Sequence, residues 1–316
     1  MVAKARTNCA GRIRSAEFGV AHIPFTRHAL RFTHHVQALT TTPAAQNWLA
    51  NTQQARVLNA FGRACNLVNE RGEVLALLTQ ELPLTPFALR VETAEPRPFE
   101  NVCAETGVRV EKELLRIGEL EINTHAARLW NPQPDWKAVR ATLANATRLA
   151  QLSELALAIG KEGSLLEAPH RWPAQTQLIQ ALRARNLPEA ISAAQALAGR
   201  GSGLTPAGDD FIVGALLAVW AGLYTKEAEK LCMPLAEVAA PRTTTLSGAY
   251  LHAAARGECT EQWHNLFQVL QTNNVNEWVL VISDLLAIGH TSGADALAGF
   301  IANSQILQSS NSRSLL

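Results

Sequence analysis

Two adjacent aspartates close a glycine-rich run, Gly199-Arg-Gly-Ser-Gly-Leu-Thr-Pro-Ala-Gly-Asp-Asp210, directly before a long apolar segment. Glycine lets a backbone approach a ligand closely and take positive φ. A helix start offers unpaired N–H groups whose dipole favours an anion. Gly201, Ser202, Gly203 and Thr205 therefore read as contacts to a phosphate, carboxylate or oxyanion, and Arg200 adds a fork of donors. Asp209 and Asp210 would repel a bare phosphate, so their presence needs a reason. They could hold a divalent cation such as Mg2+ beside the anion. They could accept hydrogen bonds from an amide or ureido N–H2 of a substrate, or they could cap the helix. One aspartate suffices for a cap; a pair behind so many glycines points to function, and makes Asp209 and Asp210 candidate catalytic residues. The run lacks a Gly-Lys-Ser/Thr ending and is not a Walker loop.

Two further helix starts carry more polar residues than capping requires. Arg242-Thr-Thr-Thr-Leu-Ser247 supplies Arg242, Thr244, Thr245 and Ser247 as candidate anion contacts. Gly289-His-Thr-Ser-Gly-Ala-Asp295 opens the last helix: Thr291, Ser292 and Asp295 are candidate binding residues, Ser292 and Asp295 also resemble a capping box, and His290 is a candidate acid or base. The first and third segments share a pattern, Gly203-x-Thr205-x-x-x-Asp209 and Gly289-x-Thr291-x-x-x-Asp295. Two similar loops facing one site would gather helix N-termini around developing negative charge.

The remaining polar residues give no competing chemistry. No Gly-x-Ser-x-Gly elbow is present. His34, His35, His125, His170, His252 and His264 lack metal-ligand spacing and read as structural or surface groups. Cys9, Cys65, Cys103, Cys232 and Cys259 form no CxxC pair and read as free thiols in a reducing, cytoplasmic setting. Trp130, Trp136 and Trp172 sit near prolines and suggest loop packing, and Glu111, Glu113, Glu119 and Glu121 read as a solvated face.

The elements that must position these residues divide the chain into two textures. Ala64–Val68 and Glu73–Leu78, around a turn ending at Gly72, predict a β-hairpin. Alternation predicts further strands at 88–91, 108–110 and 120–122. After the turn-rich Asn131-Pro-Gln-Pro-Asp135, helical periodicity dominates, with helices expected over 136–160, 174–185, 188–198, 209–224, 226–239, 246–256, 261–271, 275–287 and 293–308. The expected class is α+β, a β-rich N-terminal domain followed by a larger mainly α-helical one. The boundaries are 1–50 for an N-terminal extension, 51–135 for the β-rich domain and 136–316 for the helical domain. The extension carries Lys4, Arg6, Arg12 and Arg14 without an acid in its first sixteen residues and reads as a basic terminus.

Bulk composition narrows the partners. With 28 Lys+Arg against 27 Asp+Glu, the net charge of +1 offers no footprint for nucleic acid or an anionic membrane. The longest apolar run, 211–224, is shorter than the roughly 20 residues a bilayer span needs and reads as a buried helix.

Three stretches resemble a known family: Gly201–Asp210; Thr244–Leu251 with Ala254-Ala-Arg-Gly257; and Asp284–Asp295 with Gly299-Phe300. The hairpin, Arg63–Val68 through Gly72–Leu75, is similar as well. The family is that of the AllH subunit of anaerobic oxamate carbamoyltransferase, and the likeness runs from about residue 56 to the C-terminus. The resemblance implies a role in allantoin-derived purine nitrogen use, where oxalurate and phosphate give oxamate and carbamoyl phosphate with two larger subunits taking part. It implies a small anionic metabolite as ligand: a carboxylate for Arg200 or Arg242, a ureido N–H2 for an aspartate, and phosphate at the glycine-rich helix start. A noncatalytic scaffolding subunit and a metal-dependent phosphotransfer enzyme are the alternatives.

Overall fold

The computed structural model describes residues 34–311 apart from Tyr224. Cys9 and the basic terminal residues lie outside them.

The N-terminal part is one mixed sheet. Its strands are β1 (His34–Thr41), β2 (Ala55–Phe61), β3 (Ala64–Asn69), β4 (Val74–Thr79), β5 (Ala88–Glu92), β6 (Val108–Glu111), β7 (Leu114–Ile117), β8 (Leu120–Asn123) and β9 (Arg128–Leu129), with helix α1 (Pro43–Asn51) after β1. The order is β2-β3-β4-β5-β1-β8-β7-β6, with β9 against β1. The predicted hairpin is β3–β4, antiparallel with Val68 opposite Val74, and Gly72 takes the positive φ of its turn. The end strands β2 and β6 approach each other, so the sheet curls around one core that includes Val36, Leu67, Leu77, Leu115 and Ile122.

The sheet corrects the expected start of the β-rich part. β1 is a central strand, antiparallel to β5 and parallel to β8. Residues 34–50, placed with the extension on sequence grounds, therefore belong to the β-rich part. Trp48 of α1 is buried, and its indole donates to the Glu73 carbonyl at 2.9 Å. Val36 and Ala38 are the apolar residues that β1 gives to the core, which leaves its sequence with little apolar signal.

The C-terminal part is helical: α2 (Trp136–Leu143), α3 (Ala146–Ile159), α4 (Pro173–Arg183), α5 (Leu187–Leu197), α6 (Ala207–Gly222), α7 (Thr225–Ala239), a 3-10 turn over Ala240–Arg242, α8 (Thr245–Ala255), α9 (Glu261–Val269), α10 (Val275–Leu286) and α11 (Ser292–Asn311). The single helix expected over 136–160 is two helices. Asn145 restarts the chain by accepting the Thr147 N–H at its side chain, an ordinary N-cap that outweighs a continuous apolar pattern. Together the two parts make an α+β fold. No helix among the described residues is long and apolar enough to cross a membrane.

The apolar run 211–224 accounts for most of α6, which is buried almost all round, as expected of a central helix. Its main neighbour is α11. The two cross at backbone contact distance, because a Cβ on Gly214 would lie 1.8 Å from the Ala296 carbonyl oxygen and one on Gly299 would lie 2.1 Å from that of Phe211. Trp136, Trp220, Trp263, Phe267 and Phe300 pack beside this crossing at ring separations of 5.2 to 6.1 Å.

The sheet is fastened to the helices from its outer face. β4 is buried on both sides: Leu75 and Leu77 face the sheet core, while Val74, Ala76 and Leu78 join Phe87 and Leu246 of α8. Arg90 of β5 pairs with Glu261 of α9, whose carboxylate also accepts the Leu84 N–H at 2.9 Å. Because the α6–α11 contact leaves no room for a methyl group, Gly214→Ala is expected to lose about 1–3 kcal/mol of stability or more. Denaturant unfolding of the full chain measures this, and an unchanged midpoint would contradict the backbone contact.

Candidate functional site

The α6–α11 crossing brings the starts of both helices together, and α8 joins them from the side. Thr205, before α6, and Ser292, the first residue of α11, share a hydroxyl–hydroxyl hydrogen bond of 2.8 Å. Thr244, the N-cap of α8, accepts the Ser247 N–H at its side chain, and its own hydroxyl donates to the Leu204 carbonyl. The three polar segments are therefore one junction, although 87 positions separate Thr205 from Ser292.

The two aspartates occupy opposite situations within it. Asp209 is fully buried and both its oxygens are taken. Oδ1 accepts the Gly199 N–H at 2.8 Å, while Oδ2 accepts the Thr243 hydroxyl and the Ser247 hydroxyl, the latter at 2.9 Å. It caps neither its own helix nor an open cleft; it ties the glycine-rich loop to α8. Burial raises its carboxyl above the ordinary aspartate range, and these three hydrogen bonds pull it back. Asp210 is 8% exposed, with Thr205 and Ser292 against its carboxyl and Oδ2 without a partner. Burial pushes this group well above its usual range, and the nearby Asp295 and Asp209 add to the rise.

Asp295 repeats part of the Asp209 arrangement, as the shared sequence pattern suggests. It is fully buried, Oδ1 accepts the Leu165 N–H at 2.6 Å, and Oδ2 has no partner. Burial raises it, while the Leu165 N–H, Thr291, Arg171 and His290 act in the opposite direction. His290 itself is exposed at the rim.

The remaining predicted residues divide by exposure. Arg200, Gly201, Ser202, Gly203, Arg242 and Thr245 are exposed, and Thr205, Thr244, Thr291 and Ser292 are half-buried. The Arg200 Nε donates to the Ala196 carbonyl at 2.5 Å. Gly199 lies directly against the backbone of Arg242, where a Cβ would be 2.7 Å from its carbonyl oxygen, so the two arginines flank the same loop. Gly201 requires its lack of a side chain: φ is 115°, and a Cβ would meet the Ala207 nitrogen at 2.7 Å.

The expected row of free helix N–H groups at α6 is only partly there. The Gly208 N–H bonds the Arg200 carbonyl at 2.8 Å, and those of Asp209 and Asp210 bond the Pro206 carbonyl. Donors toward solvent are thus the exposed 201–203 backbone, the hydroxyls and the two arginines. Among the described residues, no group of three or more His, Cys, Asp or Glu side chains is arranged to hold a metal ion.

Two profiles match this chain. The one described as oxamate carbamoyltransferase subunit AllH covers residues 197–304, and the AllH family N-terminal domain covers 37–129. The chain belongs to the AllH family. The first match spans all three polar segments, and the AllH N-terminal match is the curled sheet almost strand for strand. No solved structure matches.

Sequence reasoning missed two contributors. Thr243 completes the Asp209 bonds, and its place within the threonine run was the available signal. Tyr250 of α8 sits edge-on to Phe87 at 4.9 Å, and burial raises its phenol, with its neighbour Asp210 adding to the rise. It is one turn beyond Ser247 within the family-like stretch, but nothing in the sequence placed it beside Asp210. A separate cleft of 660 Å³ lies between the sheet and α8, with Glu73 and Phe87 on one side and Thr245, His252 and Arg256 on the other.

Asp209→Ala is expected to lose about 1–3 kcal/mol or more, since it leaves an N–H and two hydroxyls unsatisfied. Asp210→Asn is expected to keep its stability. The folded-state pKa of Asp210 is raised, so its stabilising contribution is present at low pH and lost as pH rises through that value. The asparagine variant should therefore lose less melting temperature than the native chain between mildly acidic and mildly alkaline pH, as read by calorimetry. A parallel decline in the two would place an ionised Asp210 in the native fold.

Proposed function

We propose that this chain is a subunit of a cytoplasmic carbamoyltransferase that acts on oxalurate and phosphate, giving oxamate and carbamoyl phosphate in allantoin-derived nitrogen use. The observation that carries this reading is the meeting of three distant polar segments at one hydroxyl-lined junction, inside the stretch matched to the oxamate carbamoyltransferase subunit. Arg200 and Arg242 on its rim suit the carboxylate of oxalurate or a phosphate. The exposed Gly201-Ser202-Gly203 backbone and the Thr and Ser hydroxyls suit the oxygen that becomes negative as the carbamoyl carbon is attacked. Two larger carbamoyltransferase subunits complete the enzyme in this reading, and Mg2+ is a candidate companion of the phosphate.

A second reading, a noncatalytic scaffolding subunit whose loops cap helices and dock a partner, is favoured by Asp209, whose oxygens are both spent on internal bonds. Calorimetric titration of the purified chain with phosphate, carbamoyl phosphate, oxamate and oxalurate, with and without magnesium, separates the two. Binding is expected for the native chain and weakened about tenfold or more in Arg200→Ala and Arg242→Ala, the scale of a lost hydrogen bond to a charged group. If these ligands leave both the chain and its assembled complex unbound, the carbamoyltransferase reading is wrong.

A further inference from the structure

We infer that Asp210 is the buried end of a proton relay whose outer members are the Thr205 and Ser292 hydroxyls. This inference rests on the carbamoyltransferase reading and assigns the proton transfer within it. Three observations lead to it. Asp209 and Asp210 are neighbours on α6, yet Asp209 has both oxygens engaged whereas Asp210 has an oxygen with no donor and no water access. An ionised carboxylate here would keep one of its two charge-bearing oxygens unsolvated and without a donor, and a protonated carboxyl lowers that cost. The Thr205 and Ser292 hydroxyls lie against its carboxyl and 2.8 Å from each other, either can donate, and both residues are half-exposed. A chain of exchangeable protons therefore runs from the interior to the mouth of the junction.

The other charged or titratable groups that face Asp210 agree with a neutral carboxyl. Asp209 comes from its own helix, Asp295 from α11 and Tyr250 from α8. All three lose charge on protonation, and none is a cation that would stabilise an Asp210 carboxylate.

A phosphate oxygen of HPO4 2− bonds to the carbamoyl carbon of oxalurate, and the bond from that carbon to the inner nitrogen breaks. The electron pair stays on the nitrogen, which must gain a proton to leave as the amide of oxamate. A Thr205 or Ser292 hydroxyl gives that proton and is refilled by Asp210. Asp210 then recovers the proton that hydrogen phosphate releases on becoming carbamoyl phosphate dianion. Asp210 acts through the hydroxyls and does not touch the substrate.

The test uses the assembled enzyme, with Asp210→Asn and, separately, the pair Thr205→Val with Ser292→Ala. Proton transfer of this kind contributes about 100-fold or more, so each variant is expected to lose that much kcat while KM for oxalurate moves by less than about threefold. With protonated Asp210 as the working form, the native kcat falls as pH rises through the Asp210 titration, and that limb is absent in Asp210→Asn. A native-minus-Asp210→Asn infrared spectrum is expected to show the carbonyl stretch of a protonated carboxyl at neutral pH. A folded Asp210→Asn enzyme with native kcat and pH profile overturns the relay and leaves the carbamoyltransferase reading standing. An assembled native enzyme that does not turn over oxalurate and phosphate overturns both.

Discussion

The backbone contact between α6 and α11 governs what the rest of the helical part can do. Gly214 and Gly299 each sit where a carbonyl of the other helix occupies the space of a side chain. Each of these glycines lies seven residues into its helix, α6 from Ala207 and α11 from Ser292, so the starts lie at one end of the contact and Thr205 and Ser292 come within hydrogen-bonding distance. A hydroxyl pair built this way costs little flexibility, because both members hang from helix starts that the aromatic packing around Trp263 and Phe300 already holds. Precise geometry at a polar site is inherited here from an apolar crossing beneath it.

Asp209 extends that arrangement to the third helix. A fully buried carboxyl is costly unless its oxygens are satisfied. This one is satisfied only when the glycine-rich loop and α8 are both in place, since its donors are Gly199, Thr243 and Ser247. Its neighbour Asp210 receives no such set of donors. Two identical side chains in sequence therefore divide into a fastener and a carboxyl with an unpartnered oxygen, because successive residues point about 100° apart around a helix.

α8 links the junction to the sheet. Its first turn belongs to the polar site, Leu246 and Tyr250 pack against the outer face of β4 and the Phe87 ring, and His252 and Arg256 line the cleft on its remaining side. Displacement of the sheet would thus move the cap that holds Leu204 and the group beside Asp210. The Arg90–Glu261 pair and the Leu84 N–H on the same carboxylate limit that displacement at α9.

Much of this was legible in the residues themselves. Hydrophobic periodicity located most helices and the β3–β4 hairpin, because burying one face of an element imposes a period on its own sequence. The three polar segments stood out because glycines, threonines and aspartates exceed what capping needs. Local chemistry does not report partners that are distant in the chain. β1 gives the apolar core little more than Val36 and Ala38, so its central place in the sheet depends on β5 and β8. The break at Asn145 was a cap hidden within a continuous apolar pattern. Above all, the sequence presents Asp209 and Asp210 as equals. Burial, and which oxygens find donors across 34 and 38 residues of chain, are properties of the packed structure alone.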